Sequence, residues 1–218
     1  MSTISDPFTD ADGTALSAHA FPGGFSWVKD PISTGELSIN TNRVYPSGAL
    51  HTKAFYAASP TPASADYTVR AVLDTSGGGS DFLDVMGRMQ GGSSDNCYFV
   101  RRNNLSGNWD LFKRVGGVET QLTSDSAAAT STVELVMSGT SISFKTDGVT
   151  IDGVTDSDLP STGLGGFGYP FSQTDTTDDN PFVTTFEMDC SAGFSNGAPI
   201  SPLVFRSFRT SPRRTTWR

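Results

Sequence analysis

The sequence predicts an all-β fold, a two-sheet antiparallel β-sandwich, on three observations. The first is the stretch 131–157, where Val133, Leu135 and Met137, then Ile142 and Phe144, then Val149 and Ile151 alternate with polar residues. A period of two buries one face of each strand and wets the other, and the Ser138-Gly139 and Asp147-Gly148 turns cut the runs into a meander. The second is the 23 glycines, which suit many short strands joined by tight turns. The third is that no segment carries a convincing 3.6-residue period. The most helix-like one, 125–130, is too short to hold a helix.

Taken in order, residues 1–30 present Phe8, Leu16 and Trp27 as anchors that pin an extended segment to a sheet, with Asp12-Gly13 as a turn. Strands are predicted over 36–45 and 49–57, separated by Pro46-Ser47-Gly48. From Asp66 the alternation is clearest: Tyr67, Val69, Ala71 and Leu73 share one face, and Thr68, Arg70 and Asp74 the other. A glycine-rich loop at 75–80 leads to a strand over 82–90, and a loop at 91–95 to Cys97-Tyr98-Phe99-Val100-Arg101. Trp109, Leu111 and Lys113 then alternate with Asp110, Phe112 and Arg114 up to a Gly116-Gly117 hairpin turn. Past the meander, the glycines of 163–169 predict close strand packing or a bulge, and a last strand places Phe182, Phe186 and Met188 on one face.

With 218 residues, the chain divides into a globular unit, 1–192, and a Pro/Arg-rich extended arm, 193–218. A unit of this size buries enough surface to need no obligatory disulfide or metal, so the pairing of Cys97 with Cys190 stays open. The net charge of −8 opposes general binding to nucleic acid or to an anionic membrane. No apolar run approaches the ~18 residues of a membrane span, and the N-terminus lacks the basic and apolar regions of a secretory signal. Synthesis in a cytoplasm without membrane attachment is the expectation.

The arm reverses the local charge. Arg206, Arg209, Arg213, Arg214 and Arg218 are interleaved with Phe205, Phe208 and Trp217, and no acidic residue follows Ala198. Such a segment could neutralise phosphates, dock on an acidic protein surface, or stay solvated. Arginine and aromatic anchors together favour a protein groove, so the arm is expected to dock on other proteins or on copies of the same chain.

Candidate sites are few. His19 and His51 are isolated and read as surface or turn residues, without triad or zinc spacing. Runs such as Gly77-Gly78-Gly79 read as flexible loops rather than phosphate cradles. Asp175, Asp178, Asp179 and Asn180 place several hard oxygen ligands in one loop, the type calcium prefers; no other cofactor is expected. Sugar binding would use an aromatic platform, for which Tyr98, Trp109 and Tyr169 are the candidates, although each also fits a core.

Residues 66–71, the strands at 98–102 and 109–113, Ser138-Gly139-Thr140-Ser141-Ile142-Ser143-Phe144-Lys145-Thr146-Asp147-Gly148, and Gly163-Leu164-Gly165-Gly166-Phe167-Gly168 together resemble the concanavalin A-like lectin/glucanase superfamily. That resemblance covers about the middle half of the chain and implies a jelly-roll form of the sandwich. Its glucanases carry two strand-borne acids and a third in an E-x-D-x-x-E string. Here Glu187 and Asp189 match the first two, but Ala192 stands at the third, so no catalysis is expected. The opening, Phe8 to His19 with Trp27, is also similar to structural proteins of tailed bacteriophages. This second resemblance implies a non-enzymatic virion decoration or structural protein, on capsid or tail, held to other virion proteins by the arm. The alternative is a lectin-like module that binds carbohydrate on host cell surfaces.

Overall fold

The computed structural model of the chain describes residues 2–47, 53–74, 82–102, 108–125, 131–170 and 182–195. In chain order the strands are β1 (Ser2–Asp6), β2 (Ser26–Lys29), β3 (Glu36–Asn40), β4 (Arg43–Ser47), β5 (Ala54–Ser59), β6 (Thr61–Pro62), β7 (Tyr67–Asp74), β8 (Asp84–Met89) and β9 (Cys97–Arg102). They continue as β10 (Trp109–Val115), β11 (Val118–Asp125), β12 (Thr132–Ser138), β13 (Ser141–Thr146), β14 (Val149–Thr155), β15 (Leu164–Tyr169), β16 (Phe182–Cys190) and β17 (Phe194–Ser195). Two single 3-10 turns, Leu16–Ala18 and Gln90–Gly92, are the helical segments among the described residues.

Two antiparallel sheets form a sandwich. The first runs β14-β13-β12-β7-β16-β4-β3, with β1 added along β16; the second runs β11-β10-β9-β8-β15-β5-β2. Period-two patterning decides the inner faces: β7 alternates buried and half-buried along its whole length. Val69, Leu135 and Phe144 form one cross-strand row and face Val85, Val100 and Phe167 of the other sheet in a single core. Each large apolar side chain so buried contributes about 1.5–3 kcal/mol.

The predicted glycine effect at β15 is seen at Gly166. A Cβ there would lie 2.1 Å from the Tyr56 carbonyl oxygen, so β5 approaches only because the position is bare. The pairing of β15 with β8 also shifts register between Leu164 and Gly166.

Two details differ from expectation. The single strand expected over 36–45 is a hairpin, β3-β4, turning at Thr41-Asn42 with φ of 50° and 58°. Its turn lacks the glycine that marks such loops, and Asp12 Oδ1 steadies it by accepting the Thr41 N–H at 2.7 Å. Phe182 does not share a face with Phe186 and Met188. A register shift between Val183 and Thr185 flips the strand, so Val183 joins the core and Phe182 sits under the Arg43 guanidinium instead.

The last described strand, β17, pairs with β6, so described structure runs to Ser195.

Candidate functional site

The structure places the expected aromatic platform inside. Tyr98, Trp109 and Tyr169 are each fully buried, on the inner face of the second sheet, so none offers a ring to a ligand. Tyr98 donates to Asp156 Oδ1 at 2.5 Å, and Tyr169 to the Val44 carbonyl at 3.3 Å. All three rings are core pillars, and the hydroxyls of the two tyrosines reach acceptors.

His19 is likewise not a surface residue. It is 6% exposed, with Nε2 2.9 Å from Asp6 Oδ1 and Nδ1 3.2 Å from Asp10 Oδ2. Asp6 also accepts the Phe8 N–H and the Trp27 indole N–H, so the opening segment is locked by one buried carboxylate.

Cys97 and Cys190 are both free and buried, one on each sheet. Glu187 pairs with Arg70 at 2.8 Å on the outer face of the first sheet. His51, the calcium candidates Asp175, Asp178, Asp179 and Asn180, and the arm residues Phe205, Arg206, Phe208, Arg209, Arg213, Arg214, Trp217 and Arg218 lie outside the described residues. Among the described residues, no group of three His, Cys, Asp or Glu is placed to hold a metal ion.

The outer face of the second sheet carries a layer of charge over aromatic rings. Phe99 and Phe112 stack at 5.1 Å, and the guanidiniums of Arg101 and Arg114 lie 4.8 and 4.7 Å above Phe99. Arg101 grips Asp84 through Nε at 2.6 Å and Nη2 at 2.8 Å, and reaches Glu119 through Nη1 at 2.8 Å. Glu119 also accepts from Arg114. Burial works against the charge of Arg101, but Asp84 and Glu119 outweigh it and raise its pKa. These groups satisfy one another, so the layer closes the sheet rather than presenting a site.

A concave site lies where three strands of the first sheet end together. Tyr67 begins β7 opposite Met137 near the end of β12 and Cys190 at the end of β16. An open cleft of about 170 Å³ forms there, with the buried Tyr67 and Met137 at its base and Asp66, Thr68, Ser138, Asp189 and Ser191 around it.

Both carboxylates are oriented from behind. Asp66 Oδ1 accepts the Gly139 N–H at 2.7 Å, and Asp189 Oδ1 accepts the Thr3 hydroxyl of β1. Beneath Asp66 lies Arg88, fully buried, its Nη2 3.7 Å from Asp66 Oδ1. Its guanidinium donates to the carbonyls of Ala65, Leu159 and Gly139. The Tyr67 hydroxyl accepts the Arg88 backbone N–H and donates to the Gly163 carbonyl at 2.9 Å, and burial first of all pushes its phenol well above the ordinary range.

The cleft thus offers two aimed carboxylates and three hydroxyls over an apolar base, a set that matches the donors and acceptors of a polyol. Sequence reading missed it because its residues come from three separated strand ends. The one local signal was the outward position of Thr68, whose neighbours Val136 and Asp189 only the register reveals.

No protein-family model matches the chain, and no curated protein sequence matches it either. Solved structures do. A carbohydrate binding module, CBM66 from Bacillus subtilis, matches with a TM-score of 0.56 at 14% identity, over 75% of this chain and 95% of that one. The metal-free exoplasmic/lumenal domain of VIP36 matches with a TM-score of 0.55 at 10% identity, over 88% and 96%. The potassium-bound carbohydrate recognition domain of Emp46p gives 0.54 at 9%, over 74% and 87%. VIP36 is also represented in a form bound to calcium and Man3GlcNAc, with a TM-score of 0.54 at 10% identity. At these identities the likeness shows the fold alone: the chain is a two-sheet antiparallel β-sandwich of the kind these domains have.

Proposed function

We propose that this chain is a non-enzymatic carbohydrate-binding module that holds a sugar at the cleft formed by β7, β12 and β16. The observation that carries the reading is the cleft itself, a shallow, open depression of about 170 Å³ lined by Asp66, Asp189 and three hydroxyls on a sandwich of the fold that lectin domains share. The solved structures of similar fold are named as carbohydrate-binding domains, which supports the same class of ligand. The volume is well below the roughly 300 Å³ at which pockets for drug-sized ligands begin, so it suits one sugar ring at the end of a glycan.

The virion-decoration reading draws less support. Its motif residues Phe8, His19 and Trp27 are accounted for by packing and by the Asp6 lock, a role any sandwich of this topology could require. A glycan array probed with the full chain, with and without calcium, tests the proposal. Binding to a family of glycans sharing one terminal sugar is expected. A blank array under both conditions would remove the reading.

A further inference from the structure

Resting on the carbohydrate-binding reading, we infer that the cleft selects a neutral, hydroxyl-rich terminal sugar and rejects one that carries a carboxylate. The inference comes from the charge of the lining. Asp66 and Asp189 contribute two carboxylates, and among the described residues no Lys, Arg or His lines the cleft.

The nearest cation among the described residues, Arg88, cannot turn toward a ligand. It is fully buried, and all three of its guanidinium nitrogens already donate to main-chain carbonyls on the inner side of the cleft wall. Farther along the outer face of β7, Arg70 is tied to Glu187 at 2.8 Å with Glu134 at 3.7 Å on its other side. A ligand carboxylate would therefore meet two fixed carboxylates, Asp66 partly offset by Arg88 behind it and Asp189 facing no cation among those that line the cleft, with no lining guanidinium among the described residues to pair with it. A ring hydroxyl, in contrast, can donate to either aspartate and accept from Thr68, Ser138 or Ser191.

Like charges a few ångströms apart at a half-exposed site oppose each other strongly enough to change affinity by about tenfold or more. The restriction is to charge, not to sugar stereochemistry.

The test is titration calorimetry at low salt with matched methyl glycosides, a hexoside and the hexuronide of the same sugar, differing only in whether C6 is hydroxymethyl or carboxylate. Wild type is expected to bind the neutral member at least about tenfold more tightly. The variant D66N/D189N keeps an acceptor for the Gly139 N–H and for the Thr3 hydroxyl while removing both charges, so, whatever it costs in affinity for the neutral member, the ratio of hexoside to hexuronide affinity should fall toward one. Equal affinity of wild type for both members, or discrimination unchanged in D66N/D189N, would overturn the inference while leaving the carbohydrate-binding reading in place. Absence of binding to every glycoside and to the glycan array would overturn both.

Discussion

The buried carboxylate of Asp6 accepts the indole N–H of Trp27 at 2.7 Å, joining the end of the N-terminal strand to the first strand of the opposite sheet. The same carboxylate holds the Phe8 N–H and His19, so three donors depend on one side chain with no exposure to solvent. Around it Phe8, Trp27, Phe167 and Phe186 pack ring against ring. Replacing Asp6 with alanine strands those donors in an apolar setting. A loss of about 3–5 kcal/mol is expected in urea unfolding, and a loss under about 1 kcal/mol would contradict the lock.

Glycines separate into two kinds. Gly166→Ala forces a Cβ to within 2.1 Å of backbone at Tyr56, where nothing flexible can yield, so the variant should lose more than about 3 kcal/mol or fail to fold. Gly148→Ala meets nothing within 4 Å and suffers only from its φ of +79°, which predicts a loss of about 1 kcal/mol. Thermal melts of the two variants should differ accordingly.

The outer charge row of the first sheet, Lys145, Glu134, Arg70 and Glu187 on adjacent strands, predicts a small effect. The Arg70 side chain is 39% exposed, so its pairs are screened by water and salt. Glu187→Gln should cost no more than about 1 kcal/mol and leave glycan binding intact. On the second sheet, Arg101→Ala leaves Asp84 buried without its bidentate partner, and about 3–5 kcal/mol of destabilisation is expected in the same assay.

Most of the architecture was legible in the sequence because a sheet with one dry face writes itself as alternation. The runs at Tyr67, Val69 and Ala71 and at Val133, Leu135 and Met137 appear as buried faces of neighbouring strands. Less legible were features that depend on partners distant in sequence. The Thr41-Asn42 turn leans on Asp12, and the bulge at Val183 sends Phe182 to the other face. Alternation also does not say which face of β10 is inward, so Trp109 fits a sugar platform by sequence alone, whereas in the fold the first sheet covers it. The cleft was invisible because Asp66, Ser138 and Asp189 meet only through strand register.

Acid should destabilise the fold in a defined window. Glu36 is held below its ordinary value of 4.5 by Lys29 and then Tyr56. For Glu119, burial works in the opposite direction but the guanidiniums of Arg101 and Arg114 outweigh it, again leaving the carboxyl below 4.5. A depressed folded-state value means that the unfolded chain takes up protons first. Their stabilisation is complete above about pH 5 and is lost as pH falls through the lower folded values. At the alkaline side, burial and then Asp156 push Tyr98 up to about 12, so the unfolded chain loses this proton first and stability falls as pH rises above about 10. Urea midpoints between pH 3 and pH 11 should be highest in the interval between these limits; a midpoint that rose on acidification below about pH 5 would contradict the ion-pair assignments.

The most direct measurement of the central claim is amide chemical-shift mapping of the full chain during titration with a glycan identified on the array. The account predicts that the largest shifts cluster at Asp66, Thr68, Ser138, Gly139, Asp189 and Ser191. Shifts confined to the opposite end of the sandwich, around Asp74, Asp84, Arg102 and Asn108, with those residues unmoved, would contradict it.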